Sequence, residues 1–517
     1  MKKHTLRWPA LALCAALILS PQTGFAAKKK PLTAEEKIEK YEVSAVHYQY
    51  DENAEAITDP GRTSRFVLQD GIYTNPEAKV TNEATLMITG DLMCQWRQQV
   101  AAFTSDGSDF TDIEEIRQLK AEEQIKIDES GGTYTPDFGV IAQPKGTWDF
   151  DESFQYVRNI LRQGDLVIGN LETMLSQSSP LTMQCYTLEG RPYLNSPVQF
   201  LEGIDYAGYD LLTLANNHSC DTGVRGLLET LANIDAYQFL RTGMFASDEE
   251  ERYLVVDVNG IKVGIVSYAA YYNTKDANFT EEGQEILLNR YNSVQARADI
   301  KAARKAGADF VIAFMHWGAE NTHEVTYLQQ RNAYNVAKAG ADYVVGSHPH
   351  AIQTNDMVQT PDGREVPVIY SMGNFLSCMQ LEVNNDSLVL QLNLKKDEEG
   401  NVSIVSHRLH PCTIMETLEL TNYRGKIRTD YYVVTPHSKT YGPGSEFKTT
   451  TEAGQADLQY MEASLERFRM VFENRTILPL PGDPYGLTET ISLEDEELET
   501  EIYLLNRLRW VLANLTA

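Results

Sequence analysis

The sequence predicts an α/β protein in which a mixed sheet, or two sheets, lies between outer helices. Short continuous apolar runs alternate with segments of helical spacing, a pattern typical of buried parallel strands and their connecting helices. Asn259-Gly260 separates two apolar runs and is a strong two-residue hairpin signal. Further strand-like runs follow after residue 365. Alternation followed by hairpins is typical of a mixed sheet rather than a purely parallel one.

The elements can be assigned in order along the chain. Gly164, Gly307 and Gly340 are expected to end the helices before them, and Thr33 is expected to cap the first helix. Residues 51–81 are expected to be irregular. Strands are expected at 84–89, 166–169, 211–214, 253–258, 261–268, 310–315, 341–345, 366–370, 388–394 and 402–409, and helices at 33–39, 154–161, 222–237, 293–306, 324–339, 456–472 and 493–513.

This order predicts one large domain with additions. Residues 94–146 are acidic and interrupted by glycine and proline, so we expect an insertion over the rim of the sheet, part helix and part loop. The predicted parts are a signal peptide at 1–26, an N-terminal extension at 27–81, a main domain at 82–412 that contains the insertion, and a partly helical C-terminal extension at 413–517.

The composition is that of a globular protein with ample core. The chain has 517 residues, 42% of them hydrophobic and 23% charged, and a net charge of -28. Such a negative charge disfavours nucleic acid and anionic membrane surfaces as partners. It does not exclude an anionic substrate, because a bound metal ion can supply local positive charge.

The N-terminus has the pattern of an export signal. A short apolar run at 11–19 follows the basic residues Lys2, Lys3 and Arg7. Small residues at the −3 and −1 positions predict cleavage after Ala26. The alternative is a retained membrane anchor, but the run is short for a span of about 20 residues. We therefore expect an exported protein, located outside the cell or in the envelope or periplasm, without a membrane span in its mature chain.

Five short polar blocks each follow a strand-like apolar run. Side chains beyond the carboxyl ends of strands meet at one rim of an α/β sheet. Carboxylates, amides and imidazoles at one rim are the ligands of a divalent transition metal, which favours a metal-dependent hydrolase. The blocks are Thr89-Gly90-Asp91, Asn170-Leu171-Glu172, Ala215-Asn216-Asn217-His218, His316-Trp317-Gly318 and Gly346-Ser347-His348-Pro349-His350.

The block around His218 is the most informative for catalysis. Two amides and an imidazole directly after a core strand have no packing purpose, and an imidazole beside a ligand can act as a general acid or base. Asp221 could orient that imidazole. Asp221 could also be the N-cap of the following helix, and this role is compatible with the first.

The cysteines do not form a disulfide scaffold. Five remain after removal of Cys14 with the signal peptide, and no C-x-x-C occurs. Cys94 and Cys220 follow two of the polar blocks and could be zinc ligands at the rim, although buried thiols without a ligand role are the preferred interpretation.

These motifs give the chain a close resemblance to the CapA family of bacterial capsule-synthesis proteins, which are associated with poly-γ-glutamate and related to calcineurin-like metallophosphoesterases. The resemblance covers roughly residues 82–412. The matching motifs are Gly90–Met93, Gly169–Glu172, Leu214–Gly223, Gly243, His316–Glu320, Gly340–His350 and Tyr370–Phe375.

The resemblance implies a fold of two packed mixed sheets with outer helices, and it implies site residues. It assigns the metal ligands Asp91, Glu172, Asn217, His316, His348 and His350. Within that set Glu172 would bridge two ions, and His218 would be the catalytic imidazole, assisted by Asp221. Asn170, Glu320 and Asn374 belong to the family motifs and are expected to contact substrate.

One departure from the related phosphoesterases affects the metal count. They carry a histidine two residues after the first aspartate, where this chain has Met93. By the resemblance, one ion would keep Glu172, Asn217, His316 and His348, and the other only Asp91, Glu172 and His350. We therefore expect one or two divalent ions (Mn, Zn or Fe) held with unequal strength.

The leading functional hypothesis is a hydrolase that acts on a phosphoester or amide bond of an extracellular polymer through metal-activated water, with His218 as general acid or base. The expected partners are an anionic polymer or its fragments, and other capsule-synthesis subunits. One alternative is a non-catalytic, metal-containing subunit that binds or exports such a polymer. A second is a structural envelope protein whose histidines and carboxylates only satisfy one another.

Overall fold

A computed structural model describes most of the chain. The described residues are 31–43, 50–56, 60–108, 115, 118, 121–122, 125–126, 129–130, 140–185, 187–188, 191–379, 381–417, 421–423, 426–428, 431–436 and 452–472. The expected signal peptide and the expected helix at 493–513 lie outside these residues, as does much of the expected insertion.

The strands belong mainly to two large sheets. In chain order the strands are β1 (Val67–Gln69), β2 (Ile72–Thr74), β3 (Glu83–Leu92), β4 (Phe103–Ser105), β5 (Gly146–Trp148), β6 (Leu166–Leu171), β7 (Thr187–Leu188), β8 (Arg191–Pro192), β9 (Leu211–Thr213), β10 (Leu240–Thr242), β11 (Leu254–Val258), β12 (Ile261–Ala269), β13 (Phe310–His316), β14 (Tyr343–Ser347), β15 (Ile352–Gln359), β16 (Glu365–Met372), β17 (Asn374–Leu376), β18 (Asp386–Lys396), β19 (Val402–Thr417), β20 (Thr421–Tyr423), β21 (Lys426–Arg428) and β22 (Tyr431–Pro436).

Both large sheets are mixed. The first has the order β1-β2-β11-β12-β13-β14-β16-β15, and β12, β13, β14 and β16 run parallel within it. The second has the order β10-β9-β6-β3-β18-β19-β22, with β17 also paired to β3. Its strands β10, β9, β6 and β3 are parallel, whereas β18, β19 and β22 join antiparallel. The predicted α/β fold of two mixed sheets with outer helices is confirmed.

Helices cover the outer faces of the sheets. They are α1 (Ala34–Tyr41), α2 (Trp96–Ala102), α3 (Arg158–Leu161), α4 (Phe200–Ala207), α5 (Gly223–Ala236), α6 (Glu281–Leu287), α7 (Ser293–Lys305), α8 (Tyr327–Ala339) and α9 (Glu452–Phe472), with 3-10 turns at Asp151–Phe154, Lys275–Asn278 and Glu382–Asn384. In the described part of the chain, none of them is long and apolar enough to cross a bilayer.

The alternation of side chains along β3 shows how the layers are held together. Leu86 and Ile88 face the first sheet and contribute to a core between the two sheets. Met87, between them, faces the opposite side and packs with Leu227 of α5 in a second core. A third core joins the first sheet to α7 and α8. The sequence of layers is therefore helix, sheet, sheet, helix.

Several local predictions are confirmed. The side chain of Thr33 caps α1, and Gly340, with φ 120°, ends α8. Asn259 and Gly260 both have positive φ, as a type I′ hairpin requires, and they join β11 to β12.

Three local predictions were wrong. The stretch 51–81 is not wholly irregular, because β1 and β2 lie in it and β2 pairs with β11. The predicted helix at 154–161 is a 3-10 turn at Asp151–Phe154 followed by one helical turn at Arg158–Leu161, although its apolar residues are buried in one core as their spacing predicts. The helix predicted from residue 324 begins at Tyr327, where Thr326 and Gln329 form a capping box.

Candidate metal centre

The carboxyl ends of five parallel strands meet at one edge of the sandwich. β3, β6 and β9 of the second sheet deliver Asp91, Glu172 and Asn217. β13 and β14 of the first sheet deliver His316 and the segment that contains His348 and His350. All six predicted metal ligands are buried and lie at this rim. These six residues are Asp91, Glu172, Asn217, His316, His348 and His350.

Asp91 is fixed by its neighbours on both sides of β3. It stands in register with Asn170 of β6 and with Asn374 of β17. Asn170 donates a hydrogen bond from Nδ2 to Asp91 Oδ1 at 2.8 Å, and the backbone N–H of His348 donates to Asp91 Oδ2 at 3.2 Å. The glycine before Asp91 is required, because a Cβ at Gly90 would lie 1.9 Å from the carbonyl oxygen of the facing Gly373.

Glu172 is the carboxylate at the middle of the cluster. It is completely buried, and neither of its side-chain oxygens has a hydrogen-bond partner among the residues that the structure describes. Its Oε1 lies 3.5 Å from His316 Nε2 and 3.8 Å from His350 Nε2. Buried carboxylates without partners are rare, because their desolvation is costly. This one has two imidazole nitrogens facing it.

The imidazoles are oriented by bonds at their outer nitrogens. His350 Nδ1 lies 2.8 Å from Asn374 Oδ1, and His316 Nδ1 lies 2.9 Å from Ser347 Oγ. Both rings therefore direct Nε2 toward Glu172. A bond from one ring nitrogen that fixes the tautomer of the other is typical of metal-binding histidines.

The backbone around Pro349 places the last two imidazoles. His348 has a φ of 95° and His350 a φ of 55°, conformations that non-glycine residues seldom adopt. Such strain is found mainly at functional sites, where the surroundings hold it. The alternation expected from the H-P-H sequence thus brings both rings to one cluster, with their centroids 5.6 Å apart.

The electrostatics of the cluster suit a cation. Burial raises the pKa of Asp91, but the hydrogen bond from His350 and the charge of His316 outweigh it and lower the pKa to about 2. Burial and then the charge of Asp91 raise the pKa of Glu172 well above its usual range. Burial lowers the pKa of His316 to about 3 and also lowers that of His348, so both rings are neutral, as metal ligands must be.

The residues present therefore fit a divalent metal. Two groups of side chains place one ligand atom each within 4.8 Å of one another, and Glu172 belongs to both. One group is Glu172, His348 and His350, and the other is Asp91, Glu172 and His316. Asn217 Oδ1 lies 2.8 Å from His316 Nε2 and extends the second group. Glu172 is shared, as the resemblance implies, but the histidines are divided differently.

His218 lies beside these groups and is held by a buried chain of charges. Its Nδ1 is 2.7 Å from Asp221 Oδ2, and Asp221 Oδ1 is 2.8 Å from Lys275 Nζ. Burial opposes ionisation of Asp221, but the charges of His218 and Lys275 outweigh it and lower its pKa. Asp221 does not cap α5, whose N-cap is Thr222. Its predicted alternative role as a helix cap is therefore wrong, and the orienting contact is present.

The three residues expected to contact substrate have different surroundings. The amides of Asn170 and Asn374 are buried and bonded to Asp91 and His350. These contacts position ligands, and a contact of either amide with substrate stays a prediction. Glu320 follows β13, and its Oε1 lies 4.0 Å from His348 Nε2 at the open side of the cluster.

The structure adds residues that the sequence reasoning missed. Tyr271 lies edge-on to His348, with ring centroids 4.8 Å apart, and Asn273 accepts a bond from Asn217 Nδ2 at 3.2 Å. They follow β12, as does Lys275. This strand was assigned to a hairpin, but it also runs parallel to β13 and so ends at the same rim. These three residues were predictable from the sequence if β12 is recognised as a sixth strand that ends at the rim.

The thiols near the rim are not part of the ligand groups. Cys94 and Cys220 are buried and free, and neither belongs to the clusters found in the described residues. Burial raises the pKa of both thiols, which disfavours the thiolate form that binds zinc.

Comparison with known proteins places the chain in a family. Residues 85–379, more than half of the chain, match the family described as bacterial capsule synthesis protein PGA_cap. The chain belongs to this family, and the predicted CapA resemblance is confirmed.

Individual relatives are distant. The PGA biosynthesis protein CapA of Bacillus subtilis (strain 168) is 26% identical over 284 residues, which cover 53% of this chain and 68% of the relative. The capsule biosynthesis protein CapA of Bacillus anthracis is 25% identical over 256 residues, 49% of this chain and 61% of the relative. A 5'-nucleotidase of Diplobatis ommata is 25% identical over 211 residues, 36% of this chain and 34% of its own.

Among solved structures, the calcineurin-like phosphoesterase YfkN from Bacillus subtilis aligns with 74% of this chain and 99% of its own, at 15% identity and a TM-score of 0.35.

Proposed function

We propose that this protein is an exported, metal-dependent hydrolase of capsule or cell-envelope polymer metabolism. The observation that carries the proposal is the buried Glu172 carboxylate, which lacks a hydrogen-bond partner among the described residues and faces two imidazole nitrogens. A structural core would not leave such a carboxylate unsatisfied. The hypothesis of a structural envelope protein, in which the histidines and carboxylates only satisfy one another's hydrogen bonds, is therefore disfavoured.

The rim residues divide into those that hold a metal and one that transfers a proton. Asp91, Glu172 and His316 would hold divalent metal together with the remaining predicted ligands. A divalent ion supplies positive charge that activates water and stabilises a developing oxyanion. Asp221 occupies His218 Nδ1 and so directs Nε2 as the nitrogen that protonates the leaving group.

The substrate class follows from the relatives' names and from the charge of the chain. Both CapA relatives are named for capsule or PGA biosynthesis, and the nucleotidase for a phosphoester substrate. We therefore infer an anionic polymer of the poly-γ-glutamate type, or its fragments, with cleavage of an amide or phosphoester bond. At a net charge of -28, metal at the rim provides the attraction that the rest of the surface does not.

One observation favours a second candidate, a non-catalytic subunit that binds or exports the polymer. Met93 stands where related phosphoesterases have a histidine, and it is buried with its backbone N–H bonded to the Leu376 carbonyl oxygen at 2.8 Å. A thioether at this position gives the metal a weak ligand at best.

The test compares His218→Ala with wild type. Metal content should stay close to wild type, because His218 is not in either ligand group, and the fold should be retained because Lys275 keeps its ion pair with Asp221. Turnover should fall by about 100-fold or more, the usual effect of losing a positioned acid or base. The substrates are a panel of phosphoesters and γ-glutamyl amides, and His323→Ala, whose Nδ1 bonds to the Ile352 carbonyl oxygen, is the control.

Unchanged turnover in His218→Ala would exclude the catalytic role. Full metal occupancy without turnover by wild type on any substrate would favour the polymer-binding subunit. Export is tested separately by the intact mass of the protein in the secreted or periplasmic fraction. A chain that still contains residues 1–26 and sediments with membranes would contradict cleavage after Ala26.

A further inference from the structure

We propose that Glu320 is a metal ligand that completes the group formed by Glu172, His348 and His350. The proposal rests on the proposed metal centre, but not on hydrolysis. This role replaces the substrate contact that the sequence suggested for Glu320. The Glu320 carboxylate would compensate for the histidine ligand that is absent because this chain has Met93.

The first observation is the direction of the His348 ring. His348 is completely buried, yet its Nε2 has no hydrogen-bond partner among the described residues. The other ring nitrogen is surrounded, with Nδ1 lying 3.1 Å from His316 Nε2 and 3.4 Å from the Tyr271 hydroxyl. Nε2 points toward Glu320, whose Oε1 is 4.0 Å away. A buried, unpartnered nitrogen that faces a carboxylate is suited to share a cation with it.

The second observation is the distance itself. Ligand atoms of one tetrahedral ion lie about 3.3 Å apart when metal–ligand distances are about 2.0–2.2 Å. The 4.0 Å between His348 and Glu320 therefore has to close by only about 0.7 Å. The Glu320 side chain is 46% exposed, so it can make this movement without disturbing the core.

The third observation is that the backbone beside Glu320 is already fixed to the histidine segment. The N–H of Asn321 donates to the carbonyl oxygen of Pro349 at 2.7 Å. Asn384 Nδ2 donates both to Asn321 Oδ1 at 2.8 Å and to the His350 carbonyl oxygen at 2.9 Å. Only the Glu320 side chain is left to move, while its attachment to the cluster is rigid.

Charge balance agrees with this assignment. The two ligand groups contain only the carboxylates of Asp91 and Glu172, which provide two negative charges for as many as four positive ones. Glu320 adds a third negative charge from the solvent side. Each group then has four protein ligands, since Asn217 extends the group that contains His316.

The experiment titrates Mn²⁺ into the metal-free full chain by calorimetry, with bound metal measured by elemental analysis. Glu320→Gln should weaken one site by about 10-fold or more and leave the other unchanged. Glu324→Gln is the matched control, because Glu324 is an exposed carboxylate on the same loop with the same charge. Thermal unfolding of the metal-free variants should match wild type, which separates loss of a ligand from loss of structure.

Unchanged Mn²⁺ affinity in Glu320→Gln would overturn the proposal, whether wild type binds one ion or two. An equal loss in Glu324→Gln would also overturn it, because general loop charge would then explain the effect. If wild type binds metal through Glu320 but hydrolyses no substrate, the ligand assignment stands and the proposed hydrolase falls.

Discussion

Replacement of Lys275 by methionine should destabilise the protein strongly. Its Nζ lies 2.8 Å from Asp221 Oδ1, and both side chains are buried. Removal of one partner from a buried ion pair costs roughly 3–5 kcal/mol, because a charge is left without compensation. Asp221 keeps bonds from His218 Nδ1 and from the N–H of Leu194, each at 2.7 Å. We therefore expect about 3 kcal/mol, the low end of that range, or about a 160-fold shift in the unfolding equilibrium.

The assay is urea unfolding followed by tryptophan fluorescence, in the presence of chelator so that metal binding does not contribute. Lys395→Met is the control, because its Nζ lies 2.7 Å from Glu83 Oε1 with both side chains more than half exposed. Solvent screens such a pair, so its loss should have a much smaller effect. The double variant Lys275→Met/Asp221→Asn should recover part of the loss. If Lys275→Met is no less stable than Lys395→Met, the argument from burial is refuted.

Two further predictions concern the rim. Gly90→Ala should lower stability by roughly 1–3 kcal/mol and weaken metal binding. The new Cβ would lie 1.9 Å from the Gly373 carbonyl oxygen and displace Asp91. An unchanged melting temperature and Mn²⁺ affinity would contradict this prediction. Divalent metal at 100 times its dissociation constant should raise the free energy of unfolding by about 2.7 kcal/mol. His348→Ala should lose most of this gain, as measured by melting with and without metal, since it removes an imidazole from the group around Glu172.

The rim was predictable from the sequence because the strands that end there are buried on both faces. Residues 166–169 and 310–315 are uninterrupted apolar runs, and the polar residues directly after them contrast sharply. The order of strands in space was not predictable from these runs. An apolar run does not indicate which strand it pairs with. The pairing of β3 with β18 and the location of β1 and β2 at a sheet edge are therefore seen only in the structure.

Side chains that act through tertiary contacts were also hidden. Lys275 and Asp221 are 54 residues apart, and a lysine in a short 3-10 turn has no local feature that predicts burial. Asn374 was recognised by its motif, but its bond to His350 depends on β17 returning beside β3. The types of ligand were therefore predictable, whereas the contacts that orient them were not.

The two sheets contribute different types of ligand to the cluster, and this has a consequence for assembly of the protein. The carboxylates Asp91 and Glu172 come from the second sheet, and the imidazoles come from the first. A nascent chain that ends before β13 would contain the carboxylates suited to hard ions such as Mg²⁺ or Ca²⁺, without any of the three predicted imidazole ligands that favour a transition metal. If the cluster holds a transition metal as proposed, selectivity would arise only when the late half of the chain has docked, and metal uptake would report on completed folding.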